Sequence, residues 1–370
     1  MFGWLKKKPL MINGSNMRVA TQPSAPFVDA TPARGLRALA CIWSTCLILG
    51  FAAFDASAEI KLTDALASDI GRAYGFYLGQ DYSLKQIAKK YPSLSGPALV
   101  AEREFIASFG SSIERMDALM SKHAKQEWNR IKNDLTTQIK SALNIESIAE
   151  AQASQFVDAV RQRAQGGIES PVLETLLLFN PRYEARPEAE FLEGYRYKFD
   201  SAGSEKAKGV NFTIEVPITW FASDGERPNI VQKFISENGR GLTGLLVLIK
   251  DLPLAEGEEI TAKDVEEMLQ PTVASDFLPA GATFIKSGTL VIENQPGFWV
   301  RFKTQLSRVR TTIDMETIMY TVFFETKMIQ IQGQVATAVD GERLADSDFE
   351  KYERLFDLMA NSLVISDIYK

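Results

Sequence analysis

Residues 288–335 predict one β-strand after another, and this stretch constrains the fold more than any other part of the chain. Side chains alternate with a period of two, which is typical of a strand with one face on a core. One face carries Phe298, Val300, Phe302, Thr304 and Leu306, and the other carries Trp299, Arg301, Lys303 and Gln305. Residues 318–325 and 328–335 follow as β-branched and aromatic runs joined by a turn at Thr326-Lys327. We therefore predict an antiparallel meander around which the folded chain is organised.

A leader precedes the folded part of the chain. Arg34 and Arg37 come before an apolar run at residues 38–54, and Ala56-Ser57-Ala58 follows it. A basic segment, an apolar segment and a small-x-small site together predict a secretory signal peptide cleaved after Ala58. The alternative is an uncleaved anchor that tethers the protein through residues 38–54. In both cases we expect an exported protein, either periplasmic or anchored to the inner membrane and facing the periplasm.

Residues 1–33 have a different composition. Lys6-Lys7-Lys8 and the Pro-, Ser- and Asn-rich run behind them predict a disordered extension. One interpretation is that the chain truly starts at Met17, and the other is a basic cytoplasmic tail.

Charge and cysteine content exclude several classes of function. The net charge of the 370-residue chain is −6. Removing residues 1–58, which carry six Lys/Arg and two Asp/Glu, would lower it to −10. So acidic a protein is a poor candidate for binding nucleic acid, which depends on Lys and Arg. Both cysteines, Cys41 and Cys46, lie in the leader, so we expect no disulfide, thiolate metal site or cysteine nucleophile downstream.

The remaining chain divides into a helical half at residues 59–183, a linker at 184–194 and a sheet half at 195–366. The helical half predicts one helix capped by Thr63 and ending near Gly79, a short helix at 83–91, and a long one from about residue 96. We expect Gly110-Ser111-Ser112 to bend the long helix, and the assembly to be an α-hairpin. In the sheet half, a largely antiparallel sheet should pack against two helices, one of them capped by Thr261. The predicted class is α+β.

The sheet half resembles the PsbP-like fold. The resemblance rests on the order of its elements and on Phe212-Thr213-Ile214-Glu215-Val216-Pro217-Ile218-Thr219-Trp220, a strand that enters a Pro-x-x-Trp turn. This superfamily includes the extrinsic photosystem II subunit, small nuclear-transport regulators and DcrB-like, DUF1795-type envelope proteins. The resemblance implies a module for binding or assembly, with Pro217 and Trp220 in structural positions.

Three motifs with catalytic or ligand-binding potential have simpler interpretations. Residues 239–244 match G-x-G-x-x-G, but a strand pattern follows where a dinucleotide site needs a helix. His123 and Glu127 share a helix face, yet they lack the further ligands of a metal site. The acidic residues before the Thr261 helix suit its dipole better than they suit a calcium or acid–base site; they are Glu256, Glu258 and Glu259. We expect no catalytic set, cofactor or metal.

Three hypotheses for function follow. The first is a non-catalytic module that binds a protein partner in the envelope, with Trp299, Arg301 and Lys303 as the possible contact and Arg308 and Arg310 extending the basic rim. The second is an exported hydrolase that uses carboxylates such as Glu258 or Glu293. The third is a binder of a lipid or an apolar segment on the helix face of Met116, Leu119 and Met120.

Overall fold

The computed structural model describes residues 62–143, 145–166, 172–255, 258–269, 278–308, 311–343 and 349–369. The predicted leader and extension lie outside these ranges. Within them, a helical half is followed by antiparallel sheets packed with helices, which confirms the predicted α+β class. None of the helices in these ranges is both long and apolar enough to span a membrane.

The helical half begins with α1 (Asp64–Lys90). The Thr63 side chain accepts a hydrogen bond from the Leu66 N–H at 3.2 Å, which confirms the predicted cap. The prediction of two helices here was wrong, because α1 continues past Gly79 to Lys90 without a break. Leu84 and Ile87, which follow that glycine, are buried, so packing on the core continues beyond it and supports the helix there.

The second helix, α2 (Ser95–Ala142), is bent back on itself. The bend lies at Ala124, whose φ of −148° and ψ of 47° are not helical, so the prediction of a bend at Gly110 was wrong. Asp117 Oδ1 lies 2.7 Å from Lys132 Nζ, a residue 15 positions later. In a straight helix these two residues would stand about 22 Å apart along the axis. The part of α2 after the bend returns to α1, where Leu135 lies against Gly75.

Helix α3 (Glu150–Ala164) packs on α1 and α2, and three short helices follow. They are α4 (Leu173–Leu178), α5 (Pro181–Ala185) and α6 (Glu188–Leu192). The predicted linker at residues 184–194 thus contains helix α6, in which Glu188, Ala189, Glu190 and Phe191 are buried.

The sheet half contains eleven strands among the residues described. Their bounds are β1 (Arg196–Asp200), β2 (Phe212–Pro217), β3 (Phe221–Asp224), β4 (Ile230–Ile235), β5 (Thr243–Asp251), β6 (Thr283–Ile292), β7 (Gln295–Arg308), β8 (Thr311–Phe324), β9 (Lys327–Val339), β10 (Glu342–Arg343) and β11 (Val364–Ile365). Besides a short helical turn at Ser236–Gly239, the sheet half contains the helices α7 (Ala262–Met268) and α8 (Phe349–Asn361).

These strands form two antiparallel sheets. The small sheet has the order β1-β2-β11, and the large sheet has the order β3-β4-β5-β9-β8-β7-β6 with β10 paired to β9. The predicted meander is the run β7-β8-β9. Its register pairs Val300 with Met319 and Met319 with Gln332, so these three side chains lie side by side on one face of the sheet.

The two faces of β7 pack against different helices. Phe298, Val300 and Phe302 lie in a core with Val265 and Met268 of α7. The opposite face packs against α8, whose residues Phe349, Leu355, Phe356 and Met359 are buried in the main core of the sheet half. Helix α8 approaches β9 closely at Gly333, where an added Cβ would lie 2.4 Å from the Phe356 ring. The predicted alternation of β7 is confirmed, and both of its faces have a helical cover.

Candidate functional site

The predicted contact residues Trp299, Arg301 and Lys303 lie beside α8 and differ in accessibility. Arg301 is only 6% exposed. Trp299 is half-buried, with Lys286 Nζ 5.5 Å from its ring centroid. Lys303 is exposed and lies 3.5 Å from Glu316 Oε2. A partner contact at these residues stays a prediction, and Arg301 is not accessible for it in this structure.

Internal ion pairs occupy the Arg301 guanidinium. Its Nε lies 2.5 Å from Glu316 Oε1, its Nη2 lies 2.9 Å from Glu350 Oε1 and its Nη1 lies 3.0 Å from Glu353 Oε2. The Phe349 ring lies 4.1 Å from the guanidinium carbon. Although burial acts in the opposite direction, hydrogen bonds to Glu350 and Glu316 raise the pKa of Arg301 above its ordinary value. This cluster holds α8 on the sheet.

The glycine-rich motif and the histidine take the simpler interpretations. Residues 239–244 lead into strand β5, so no helix N-terminus is present there to receive a pyrophosphate. His123 is exposed on α2, and Glu127 pairs with Arg130 on the helix surface. Across the described ranges, no group of three or more metal-ligating side chains is close enough to hold an ion.

Glu258 and Glu293, the carboxylates of the hydrolase hypothesis, both accept hydrogen bonds from other groups of the protein. Glu258 Oε2 accepts from the Ala255 N–H at 3.0 Å, and Glu293 Oε2 accepts from the Tyr369 hydroxyl at 2.6 Å. Glu259 is exposed, and Glu256 and Arg310 lie outside the described residues, as does the side chain of Arg308. Neither Glu258 nor Glu293 lies in the cavity described next.

A cavity of about 390 Å³ opens between α1, the end of α2 and α3. We call it the helical groove. It is lined by Phe76, Gly79, Gln80, Ser83, Gln138, Ile139, Ala142, Leu143, Phe156 and Arg163. Its α1 residues are spaced by three and four positions and therefore share one helix face. Its volume lies within the range of about 300–1,000 Å³ that is typical of small-molecule sites.

Arg163 is the one cation among the described residues that line the helical groove. Its Nη1 lies 3.4 Å from Gln80 Oε1, and its guanidinium carbon lies 5.5 Å from the centroid of the Phe76 ring. Its Nε is buried and has no hydrogen-bond partner among the described residues. Burial lowers the pKa of Arg163, and no neighbouring carboxylate offsets this. The groove therefore combines apolar walls with one uncompensated positive charge.

The helix face for which the sequence predicts apolar binding, at Met116, Leu119 and Met120, packs on the core of the helical half. Met116 and Met120 are 0% and 5% exposed and belong to the core of the helical half. The groove uses residues near the end of α2 instead, such as Ile139 and Leu143, which are only partly buried. The available sequence signal was a second line of residues on α1, at Phe76, Gly79 and Ser83, beside the apolar stripe that forms the core.

Similarity to known proteins is weak and is found only with solved structures. No protein-family model and no curated protein sequence matches the chain. The solution structure of cyanobacterial PsbP (CyanoP) from Synechocystis sp. PCC 6803 aligns with 46% of this chain and 92% of its own, at 18% identity and a TM-score of 0.29. A Bacteroides thetaiotaomicron VPI-5482 crystal structure at 1.50 Å aligns with 46% of this chain and 48% of its own, at 13% identity and a TM-score of 0.27.

The first match is to a protein of the PsbP type that the sequence suggested. A TM-score this low carries no argument about function, and the DcrB-like, DUF1795-type assignment stays a prediction. The chain is an α+β protein with a helical half.

Proposed function

We propose that this protein is an exported, non-enzymatic binding protein whose helical half binds an aliphatic chain in the helical groove. The observation that supports the proposal is the groove itself, an open cavity of about 390 Å³ with mainly apolar walls. Water in such a cavity makes few hydrogen bonds, so its replacement by hydrocarbon is favourable. The lining residues follow α1 from Phe76 to Ser83, about 10 Å, and form an elongated apolar surface that a chain of methylene groups can cover.

The energetics predict a dependence on chain length. Each buried methylene group contributes about 0.8 kcal/mol, so two more carbons should strengthen binding roughly tenfold while the chain still fits the groove. Beyond the length of the groove, added carbons stay in water and the gain should stop. A plateau in affinity with chain length would thus report the depth of the groove.

Gly79 permits a direct test. An added Cβ at Gly79 meets no atom within 4 Å, so a Gly79→Leu side chain can project into the groove without disturbing the helix. Gly71 offers a matched control, because it lies on the same helix, also has free space at its Cβ and does not line the groove. Both substitutions replace glycine within a helix and should stabilise α1 slightly.

The measurement is fluorescence titration of the full chain with N-phenyl-1-naphthylamine, a neutral apolar probe, followed by its displacement with 1-decanol and 1-dodecanol. We expect the probe to bind the native protein and the Gly71→Leu variant with similar affinity. Its affinity for the Gly79→Leu variant should be lower by about tenfold or more. Equal affinities in the two variants, or no binding to the native protein, would contradict the proposal.

The other parts of the sequence-based interpretation stay predictions. Export and a possible membrane tether rest on residues 38–54, and the N-terminus of protein recovered from cells would test them. The sheet half as a docking module for a protein partner in the envelope also awaits a test. The ion pairs of Arg301 weaken the case for the surface first suggested.

A further inference from the structure

We propose that the ligand of the helical groove is a fatty acid, whose carboxylate binds Arg163 while its hydrocarbon chain fills the apolar part. This inference rests on the proposed function, and it adds the chemical class of the head group. It is argued from the position of Arg163, the lack of a charged partner for it and the donors around it.

Arg163 differs from the neighbouring arginine on the same helix. Arg161 lies two positions earlier and makes two contacts with Glu104, from Nε at 3.2 Å and from Nη2 at 3.3 Å. Hydrogen bonds to Glu104 raise the pKa of Arg161. Among the side chains that the structure describes, no carboxylate pairs with Arg163 in this way. Among the residues that the structure describes, Arg161 therefore has a carboxylate partner and Arg163 has none.

An uncompensated guanidinium in an apolar wall is unfavourable for the empty protein. Partial burial removes water from the charge, and the amide oxygen of Gln80 at 3.4 Å replaces that water poorly. A methionine or leucine at this position would cover the same apolar surface without the desolvation. A carboxylate, by contrast, can accept two parallel N–H bonds from one guanidinium, which is the geometry that arginine favours.

Gln80 provides a second donor beside Arg163. It is 5% exposed, and its Oε1 accepts from Arg163 Nη1. Its Nε2 makes no hydrogen bond within the described part of the chain and is free to donate to a ligand oxygen. One guanidinium and one amide match a singly charged carboxylate. A phosphate monoester carries up to two charges at neutral pH and would call for more cations than the groove holds.

The experiment compares ligands that differ only in their head group. Dodecanoate, 1-dodecanol and dodecyl phosphate displace N-phenyl-1-naphthylamine from the full chain and from the variants Arg163→Met, Arg163→Gln and Arg161→Met. The Arg161→Met variant is the matched control, because it removes the same charge from the same helix outside the groove. Binding of dodecanol by the Arg163 variants verifies that their grooves are intact.

We expect the native protein to bind dodecanoate more tightly than dodecanol, by about tenfold or more. Arg163→Met and Arg163→Gln should weaken dodecanoate binding about 10- to 100-fold, as for a hydrogen bond to a charged group. Dodecanol binding should change by less than about threefold, and Arg161→Met should leave both ligands unaffected.

Three results would overturn the inference and leave the proposed function standing. The native protein could bind dodecanoate and dodecanol with equal affinity. The Arg163 variants could lose affinity for both ligands equally, or the native protein could bind dodecyl phosphate more tightly than dodecanoate. Failure of the native protein to bind any of the probes would instead contradict the proposed function itself. One set of titrations therefore distinguishes failure of the fatty-acid inference from failure of the proposed function.

Discussion

At the scale of single residues, Arg301 shows how an apparent surface charge becomes structural. Its position on the polar face of β7 suggested solvent, but α8 covers that face and brings Glu350 and Glu353 to the guanidinium. Glu316, on the neighbouring strand β8, is itself 4% exposed. Two buried charges of opposite sign are tolerable together, whereas either one alone would be strongly unfavourable.

We predict that Arg301→Met lowers the free energy of unfolding by about 3 kcal/mol, because it leaves the Glu316 carboxylate buried with only the weaker Lys303 contact. Denaturant unfolding followed by tryptophan fluorescence measures the change. Lys303→Met is the control and should cost less than about 1 kcal/mol, since the Lys303 side chain is mainly in water. The double variant Arg301→Met/Glu316→Gln should recover part of the loss. Equal losses of unfolding free energy in Arg301→Met and Lys303→Met would disprove this role of Arg301.

At the scale of elements, the bend in α2 shapes the helical half and therefore the groove. The bend at Ala124 turns the rest of α2 back along α1, which brings Ile139 and Leu143 opposite Phe76. Asp117 lies before the bend and accepts hydrogen bonds from Trp128 Nε1 at 3.0 Å and from Lys132 Nζ at 2.7 Å. Although burial opposes the shift, these hydrogen bonds lower the pKa of Asp117.

We predict that Asp117→Ala destabilises the helical half by about 2 kcal/mol, because the indole N–H of Trp128, a fully buried residue, loses its acceptor. Asp117→Asn keeps an acceptor oxygen and should cost less. Asp134→Ala, an exposed position on the same helix, serves as the control. Thermal unfolding followed by circular dichroism measures these effects. An Asp117→Ala variant as stable as the control would show that the bend does not depend on this contact.

At the scale of the whole molecule, Glu190 joins the two halves. It lies on α6 between them, and its carboxylate accepts from the Thr219 N–H at 3.0 Å and from Thr219 Oγ1 at 2.8 Å. Thr219 belongs to the Pro-x-x-Trp turn, whose Trp220 packs against Phe356 of α8. Burial raises the pKa of Glu190 to about 7, and it outweighs the opposing effect of hydrogen bonds from Thr219 and the Ile218 amide.

The raised pKa predicts a loss of stability as the pH rises. The folded protein holds the Glu190 proton more tightly than the unfolded chain, whose carboxyl has a pKa near 4.5. The stabilisation is complete below about pH 4.5 and decreases as the pH rises to 7, by about 3 kcal/mol. Denaturant unfolding at pH 5 and pH 8 measures this difference, and Glu190→Gln should reduce it by about that amount. An unchanged pH dependence in Glu190→Gln would assign the effect to other groups.

Features that depend on a few neighbouring residues follow directly from the amino-acid sequence. The alternation along β7, the Thr63 cap of α1 and the Thr261 cap of α7 all appear in the structure as predicted. Period and capping are local properties, because the backbone fixes which side chains share a face and which side chain reaches a free N–H.

Which faces of the helices and strands are covered follows from long-range packing and could not be predicted from local patterns. Gln330, Gln332 and Gln334 alternate with apolar residues along β9 as in a half-exposed strand, yet each is 1% exposed. Arg301 is buried, α2 bends at Ala124, and nine residues of three helices, together with Leu143 just after α2, line the groove. Each outcome depends on contacts between residues far apart in the chain. Their free energies come from packing and desolvation, which a local pattern does not contain.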